Sequence, residues 1–374
     1  MRVLYFSRDY TVHDHRFLAA LADTAHEVAY LRLENTAVAQ ETRPLPPGIQ
    51  TIDWDGGQGE VKLEDVPLLL DSLRRVLQDY QPDLVQAGPL HSAALLVALS
   101  GFRPLVATSW GYDLLIDAHK NHQYRQATRF TLQRAAVFVG DCDTIRQQAE
   151  LFGMPPERIV TFPWGVDLQH FQPQGDSGLR RRLGWSPEKF VVLSTRSWAP
   201  IYGIEELARG FGRAARQQPE LRLLMLGGGP QADLVQEIFL QHSVMERVHF
   251  AGQVSQEKLP DYYRAADLYL SASHSDGSSI SLLEALACGL PALVSDIPGN
   301  REWIAPGDQG LWFETGDPDD LSRQLLHLDK NREKLPEMAR KARQTAEARA
   351  DWDQNFPRLL HAYQLAADLS PNKQ

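Results

Sequence analysis

The sequence predicts an α/β protein of two doubly wound domains, each a parallel sheet covered by helices, facing a central cleft. Three observations predict it. Apolar runs of strand length alternate with amphipathic helical runs along most of the 374 residues. The alternation breaks once, at IVTFPWGVDLQHFQPQ (159–174), where prolines, a glycine and aromatics read as an interdomain linker. The length exceeds one ordinary domain and suits two. We therefore expect a first domain at 1–165, joined by a C-terminal helix at 353–374, and a second at 166–352. Two such halves place a ligand between them.

In the first half, RVLYFS (2–7) reads as a buried strand and HRFLAALADTA (15–25) as a helix. HEVAYLRL is the second strand, residues 68–80 an amphipathic helix, and PDLVQAG (82–88) a strand. HSAALLVALSG is a helix closed by a glycine, RPLVATSWG a strand, YRQATRFTLQRA a helix and AVFVGD a strand. After the linker, KFVVLSTR (189–196) restarts the pattern, followed by GIEELARGFGRAARQ, LRLLMLGGGP, ADLVQEIFLQH, RVHFAG, QEKLPDYYRAA and DLYLSAS. The tail, 351–369, is a last amphipathic helix.

Composition narrows the function. A net charge of −10 argues against nucleic acid as a partner. Two cysteines, Cys142 and Cys288, make neither a disulfide framework nor a zinc cluster and fit a reducing compartment. The N-terminal run is too short for a signal-peptide core, and no stretch approaches the roughly 20 apolar residues of a membrane span. A cytoplasmic protein, with membrane contact at most peripheral, is the expectation.

The most informative stretch is SDGSSISLLEALACGLPALVSD (275–296), which reads as loop, helix and strand. A helix start after small residues presents free N–H groups and binds anions, phosphate above all. Gly277 permits close approach, and Ser278 or Ser279 is a candidate cap ahead of Ile280. Glu284 falls on the side of Leu283, Ala287 and Cys288. If it faces inward it needs hydrogen-bond donors, which vicinal sugar hydroxyls supply. The competing reading places it on a solvated flank, with Asp276 a simple turn residue.

This stretch, with PDLVQAG, PWGVDLQHF, LGGGPQ and FAGQVSQEKLPDYYRAADLYLSAS, resembles the retaining glycosyltransferases of family 4, which have the GT-B architecture. The resemblance covers most of the chain and is weakest over the first 130 residues or so. It implies a C-terminal helix that crosses back to the first domain. It also implies that Glu284 binds the donor's ribose and Asp276 the transferred sugar, where the family usually has glutamate. Arg196 takes the position of an arginine that meets the diphosphate, and Tyr202 stands where the family has a lysine, just before Gly203. Gly228 and Gly229 form a glycine turn near the nucleotide, and Val254 belongs to the segment whose backbone faces the base. Gly277, Ser278, Ser279 and Ile280 complete the donor site. Asn300, Arg301 and Glu302 either line the cleft or make loop salt bridges.

On the acceptor side, SRDYTVHDHRF follows the first strand and reads as a polar loop carrying His13 and His15. Trp110, Gly111 and Asp113 follow a later strand; a Trp face suits a sugar ring, but also fills cores. No general base stands out, and the front-face retaining mechanism implied by the resemblance needs none. The triplets Asp53-Trp54-Asp55, Asp141-Cys142-Asp143 and Asp351-Trp352-Asp353 read as turns or helix starts rather than a metal site. The expected activity is metal-independent hexosyl transfer from a nucleoside-diphosphate sugar to a carbohydrate, lipid-linked or small-molecule acceptor, without a cofactor. The alternatives are a GT-B relative such as a sugar-nucleotide epimerase, and a catalytically weak nucleotide-sugar-binding module. A phosphorylase is disfavoured because Lys330, Lys334 and Lys341 lie in a charged helical stretch unlike a cofactor pocket.

Overall fold

From Val3 to Ser7 every residue of β1 (Arg2–Ser7) is buried, as a central strand of a helix-covered parallel sheet requires. A computed structural model describes residues 1–36 and 41–370. In it, β1 is joined by β2 (Glu27–Arg32), β3 (Gln50–Thr51), β4 (Leu84–Gly88), β5 (Leu105–Thr108), β6 (Val137–Gly140) and β7 (Ile159–Thr161). Their order is β3-β2-β1-β4-β5-β6-β7, with every pairing parallel.

The second sheet holds β8 (Phe190–Ser194), β9 (Leu221–Leu226), β10 (Val248–Gly252), β11 (Leu268–Ser271), β12 (Ala292–Ser295) and β13 (Gly310–Phe313). Their order is β10-β9-β8-β11-β12-β13, again all parallel. Strand alternation splits its core: Val191 and Leu193 join the cluster of Leu282, Leu283 and Tyr263, while Phe190 and Val192 join that of Phe211, Phe239 and Leu325. In each sheet the strand order reverses once, between β1 and β4 and between β8 and β11. The loops leaving the carboxyl ends there diverge to opposite faces and open a ligand-binding crevice.

The chain divides into two compact units, Met1–Phe162 with Phe356–Gln374, and Pro163–Asn355. The segment read as linker begins inside the first: Ile159–Thr161 pairs with β6 as the edge strand β7. Three residues between a turn and a proline are too few for a periodic signal. Beyond it, Val166 N–H donates to the Ala350 carbonyl at 2.7 Å and Trp352 N–H to the Val166 carbonyl at 3.1 Å, so the outgoing and returning segments run bonded side by side. The helix Pro357–Asp368 packs on β4 to β7, and the Tyr363 hydroxyl donates to Gln86 on β4. The C-terminal helix thus returns to the first unit. Residues 371–374 of the tail lie outside the described residues.

The first helix spans Val12–Ala22, three residues ahead of the expected start. Thr11 caps it, with Asp14 completing a reciprocal capping box. His13 and His15 therefore lie on this helix and not in a loop.

Candidate active site

Beyond β8 the chain folds against the glycine turn that follows β9. The Trp198 N–H donates to the Gly228 carbonyl at 2.9 Å, the Gln231 N–H to the Trp198 carbonyl at 3.0 Å, and the Trp198 indole to the Leu226 carbonyl at 3.0 Å. At Gly229 (φ +157°) a Cβ would lie 2.7 Å from the Trp198 carbonyl oxygen, so only glycine admits this approach. Gly228 faces open space. Gly203, with φ +58°, packs against the end of β11, where a Cβ would sit 2.0 Å from the Ala272 oxygen. The loops after β8 and β11 are thereby locked together at the crevice of the second sheet.

Arg196 and Asp276 come from these two loops and form an ion pair, Nη2 to Oδ2 at 2.7 Å. Arg196 Nη1 also donates to Ser279 Oγ at 2.8 Å and Ser281 Oγ at 3.1 Å, and its guanidinium lies 4.2 Å from the centre of the Tyr202 ring. Nε has no hydrogen-bond partner. Burial disfavours the charge of Arg196, but Asp276 and the surrounding tyrosines outweigh it and raise the pKa. Burial raises the Asp276 pKa, against the lowering influence of Arg196. Tyr202 thus supplies a π face to the arginine.

Ser279 is the N-cap residue of the helix Ile280–Ala287, yet its side chain makes no cap hydrogen bond. Of the two candidate caps, Ser279 does not cap and its Oγ accepts from Arg196, while Ser278 Oγ accepts from the Trp303 indole at 3.2 Å. Glu284, one turn along, is 5% exposed, which excludes the solvated-flank reading. The Tyr263 hydroxyl donates to Glu284 Oε2 at 2.7 Å. Burial, then the Glu284 charge, push the Tyr263 pKa well up, so it stays a donor. Tyr263, Tyr269 and Ser281 were not singled out from sequence. Tyr263 carries no signal there beyond the apolar phase of its helix, and Tyr269 is simply an aromatic in β11. Tyr269 and Ser281 hydroxyls lie 2.8 Å apart.

Val254 is partly buried against the core cluster that contains Tyr263. Asn300 closes its own loop by donating to the Ser295 carbonyl at 2.9 Å, and Arg301 pairs with Asp296 at 2.5 Å. These two are loop builders.

In the first unit, His13 stacks on Trp110, ring centres 5.7 Å apart and 24° from parallel, and Trp110 meets the edge of Phe17. Trp110 is partly exposed, between the two roles its sequence left open. Asp113 is fully buried and accepts from Ser109 Oγ (2.6 Å), Leu90 N–H (2.9 Å) and Trp110 N–H (3.0 Å). It ties the loops after β4 and β5 together, while burial raises its pKa. Gly111 takes φ +93° and accepts from Leu114 and Leu115. His15 lies beside Tyr10, and burial lowers its pKa.

Two family models match. Residues 177–345 fit the glycosyl transferases group 1 and residues 11–165 the glycosyl transferase 4-like domain. The chain is a glycosyltransferase. A D-inositol 3-phosphate glycosyltransferase of Thermobispora bispora is 26% identical to this glycosyltransferase over 92% of the chain and 88% of the relative. The sucrose-phosphate synthase of Thermosynechococcus elongatus superimposes with a TM-score of 0.81 at 17% identity, covering 99% of this chain and 100% of that one. HepE of Anabaena, solved with UDP-glucose, gives 0.77 at 19% identity, covering 99% of each. These neighbours establish the GT-B fold for this glycosyltransferase. Among its described residues no helix is long and apolar enough to cross a membrane.

Proposed function

We propose that this glycosyltransferase moves a hexose from a nucleoside-diphosphate sugar to an acceptor hydroxyl, with retention at the anomeric carbon and without metal or cofactor. One observation carries the reading: Arg196 is fixed, through Ser279 and Ser281, at the start of the helix that holds buried Glu284 one turn further on. A guanidinium and a row of helix N–H groups together favour a diphosphate. The carboxylate of Glu284 then accepts from the ribose hydroxyls, beside its bond to Tyr263. One neighbour, HepE, is solved with UDP and with UDP-glucose, which supports such a donor.

In this reaction the bond from the anomeric carbon to the phosphate oxygen breaks and its electron pair stays on the diphosphate. The acceptor oxygen bonds to the anomeric carbon from the same face, and its proton passes to the departing phosphate oxygen. The positive field at Arg196 meets the charge that develops there. Metal independence is supported by the local engagement of two of the three acidic triplets: Asp55 pairs with Arg75 at 2.7 Å, and Asp351 accepts from the Asp353 N–H at 3.0 Å.

The test is incubation with UDP-, GDP- and ADP-sugars, with and without EDTA, followed by product analysis. Release of free nucleoside diphosphate unaffected by EDTA is expected, with an acceptor product of the donor's anomeric configuration. A new sugar nucleotide would indicate an epimerase, and binding without turnover a binding module.

A further inference from the structure

A cavity of about 310 Å³ is lined wholly by residues of the first unit. It sits at the carboxyl edge of the sheet, where Arg8 follows β1, Glu34 follows β2, and Pro89 and His91 follow β4. One wall is aliphatic: Leu33, Val61, Val66, Leu95, Leu96 and Leu99. Its rim leaves Leu63 89% and Leu99 37% exposed, an apolar margin that water covers poorly. The other end is polar. The His91 side chain is 9% exposed, and its Nε2 lies 3.1 Å from Asp117 Oδ2. Its Nδ1 and the neighbouring Ser92 Oγ are buried without a hydrogen-bond partner. Two unmade hydrogen bonds at one end of a cavity are costly and mark where a hydroxylated group would be held.

Charge separates the candidate ligands. Arg8 stands 3.6 Å from Glu34, and Asp117 holds Lys120 at 2.5 Å. Among the described residues this leaves Lys62 as the lining cation outside an ion pair. A phosphorylated cyclitol, of the kind in the Thermobispora relative's name, would meet little surplus positive charge and an aliphatic wall of no use to it.

We propose that this cavity is the acceptor site and that the acceptor is amphipathic: a hydroxylated head at His91, Ser92 and Asp117, and an aliphatic tail along Leu95, Leu99 and Val66. The assignment rests on the transfer reading only in calling the ligand an acceptor; the binding preference stands by itself.

The experiment titrates the full-length protein with methyl, hexyl and octyl β-D-glucosides below their micellar concentrations, and with D-inositol 3-phosphate, by calorimetry. UDP is titrated in parallel to report on the second unit. Affinity is expected to rise about two- to fourfold for each methylene added. The rise should flatten in Leu95→Ser and Leu99→Ser, the second a change at an already exposed position. Ser92→Ala should weaken all three glucosides by a similar factor. Affinity independent of tail length, tighter binding of D-inositol 3-phosphate, or no glucoside binding would each overturn the proposal. Failure of UDP to bind, with the tail dependence intact, would instead sink the transfer reading and leave the amphipathic site standing.

Discussion

Arg196 and Asp276, eighty residues apart in sequence, meet as an ion pair of 2.7 Å at the reversal point of the second sheet. Each was assigned a ligand from sequence, the diphosphate and the sugar. The structure shows the carboxylate already paired with the arginine, so under the proposed function it would compete with the diphosphate. Asp276→Asn should therefore bind free UDP about three- to tenfold more tightly, since a negative charge beside the anion is removed. Turnover should fall because the sugar loses a charged acceptor. Calorimetry with UDP checks this, and unchanged affinity would place the diphosphate elsewhere.

Loss of the arginine acts in the opposite sense. Arg196→Ala removes the guanidinium held by Ser279 and Ser281. Nucleotide release should slow by roughly 10²-fold or more, because a charge-assisted contact to the leaving group is worth a few kcal/mol. A rate within threefold of the parent protein would remove Arg196 from the site.

Tyr202 contributes its ring. Tyr202→Phe keeps the face 4.2 Å from the guanidinium and should alter turnover less than twofold, whereas Tyr202→Ala should lower it severalfold. Equal loss in both variants would mean that the hydroxyl is what matters.

Tyr263→Phe deletes the donor to Glu284 and leaves the ring in place. We expect a stability loss of about 1–2 kcal/mol. KM for the donor should rise more than kcat falls, as Glu284 loses its orientation. Thermal melting and donor kinetics separate the two effects.

Asp14 links the first unit to pH. Burial lifts its pKa from the ordinary 3.8 to about 6, although Thr11 and Tyr5 donate to it. The folded state thus holds a proton that the unfolded chain has released between these values. The contribution is fully present below about pH 4 and is lost as pH rises through about 6, amounting to roughly 2–3 kcal/mol. Comparing denaturation of the parent protein and Asp14→Asn from pH 4 to 7 should show a smaller decline in the variant. Parallel curves would refute it.

The alternation of short apolar and amphipathic runs was enough to reveal two parallel α/β sheets, because local periodicity reports which faces a segment must bury. The motif around Glu284 was legible for the same reason: its helix signal, its small-residue loop and its carboxylates are contiguous in the chain. The capping box Thr11–Asp14 was also there to be read, and would have placed His13 and His15 on a helix. Edge strands such as β3 and β7, of two and three residues, are too short for any period to register.

What the tertiary structure alone decided is which donor meets which acceptor across sequence distance. It paired Arg196 with Asp276, brought Tyr263 beneath Glu284, turned Tyr202 into a platform for the arginine, and left His91 Nδ1 and Ser92 Oγ unpartnered beside an aliphatic wall. Periodicity determines how a segment is buried; hydrogen-bond partners depend on how loops from non-adjacent strands converge, and that is a property of sheet order rather than of any local run of residues.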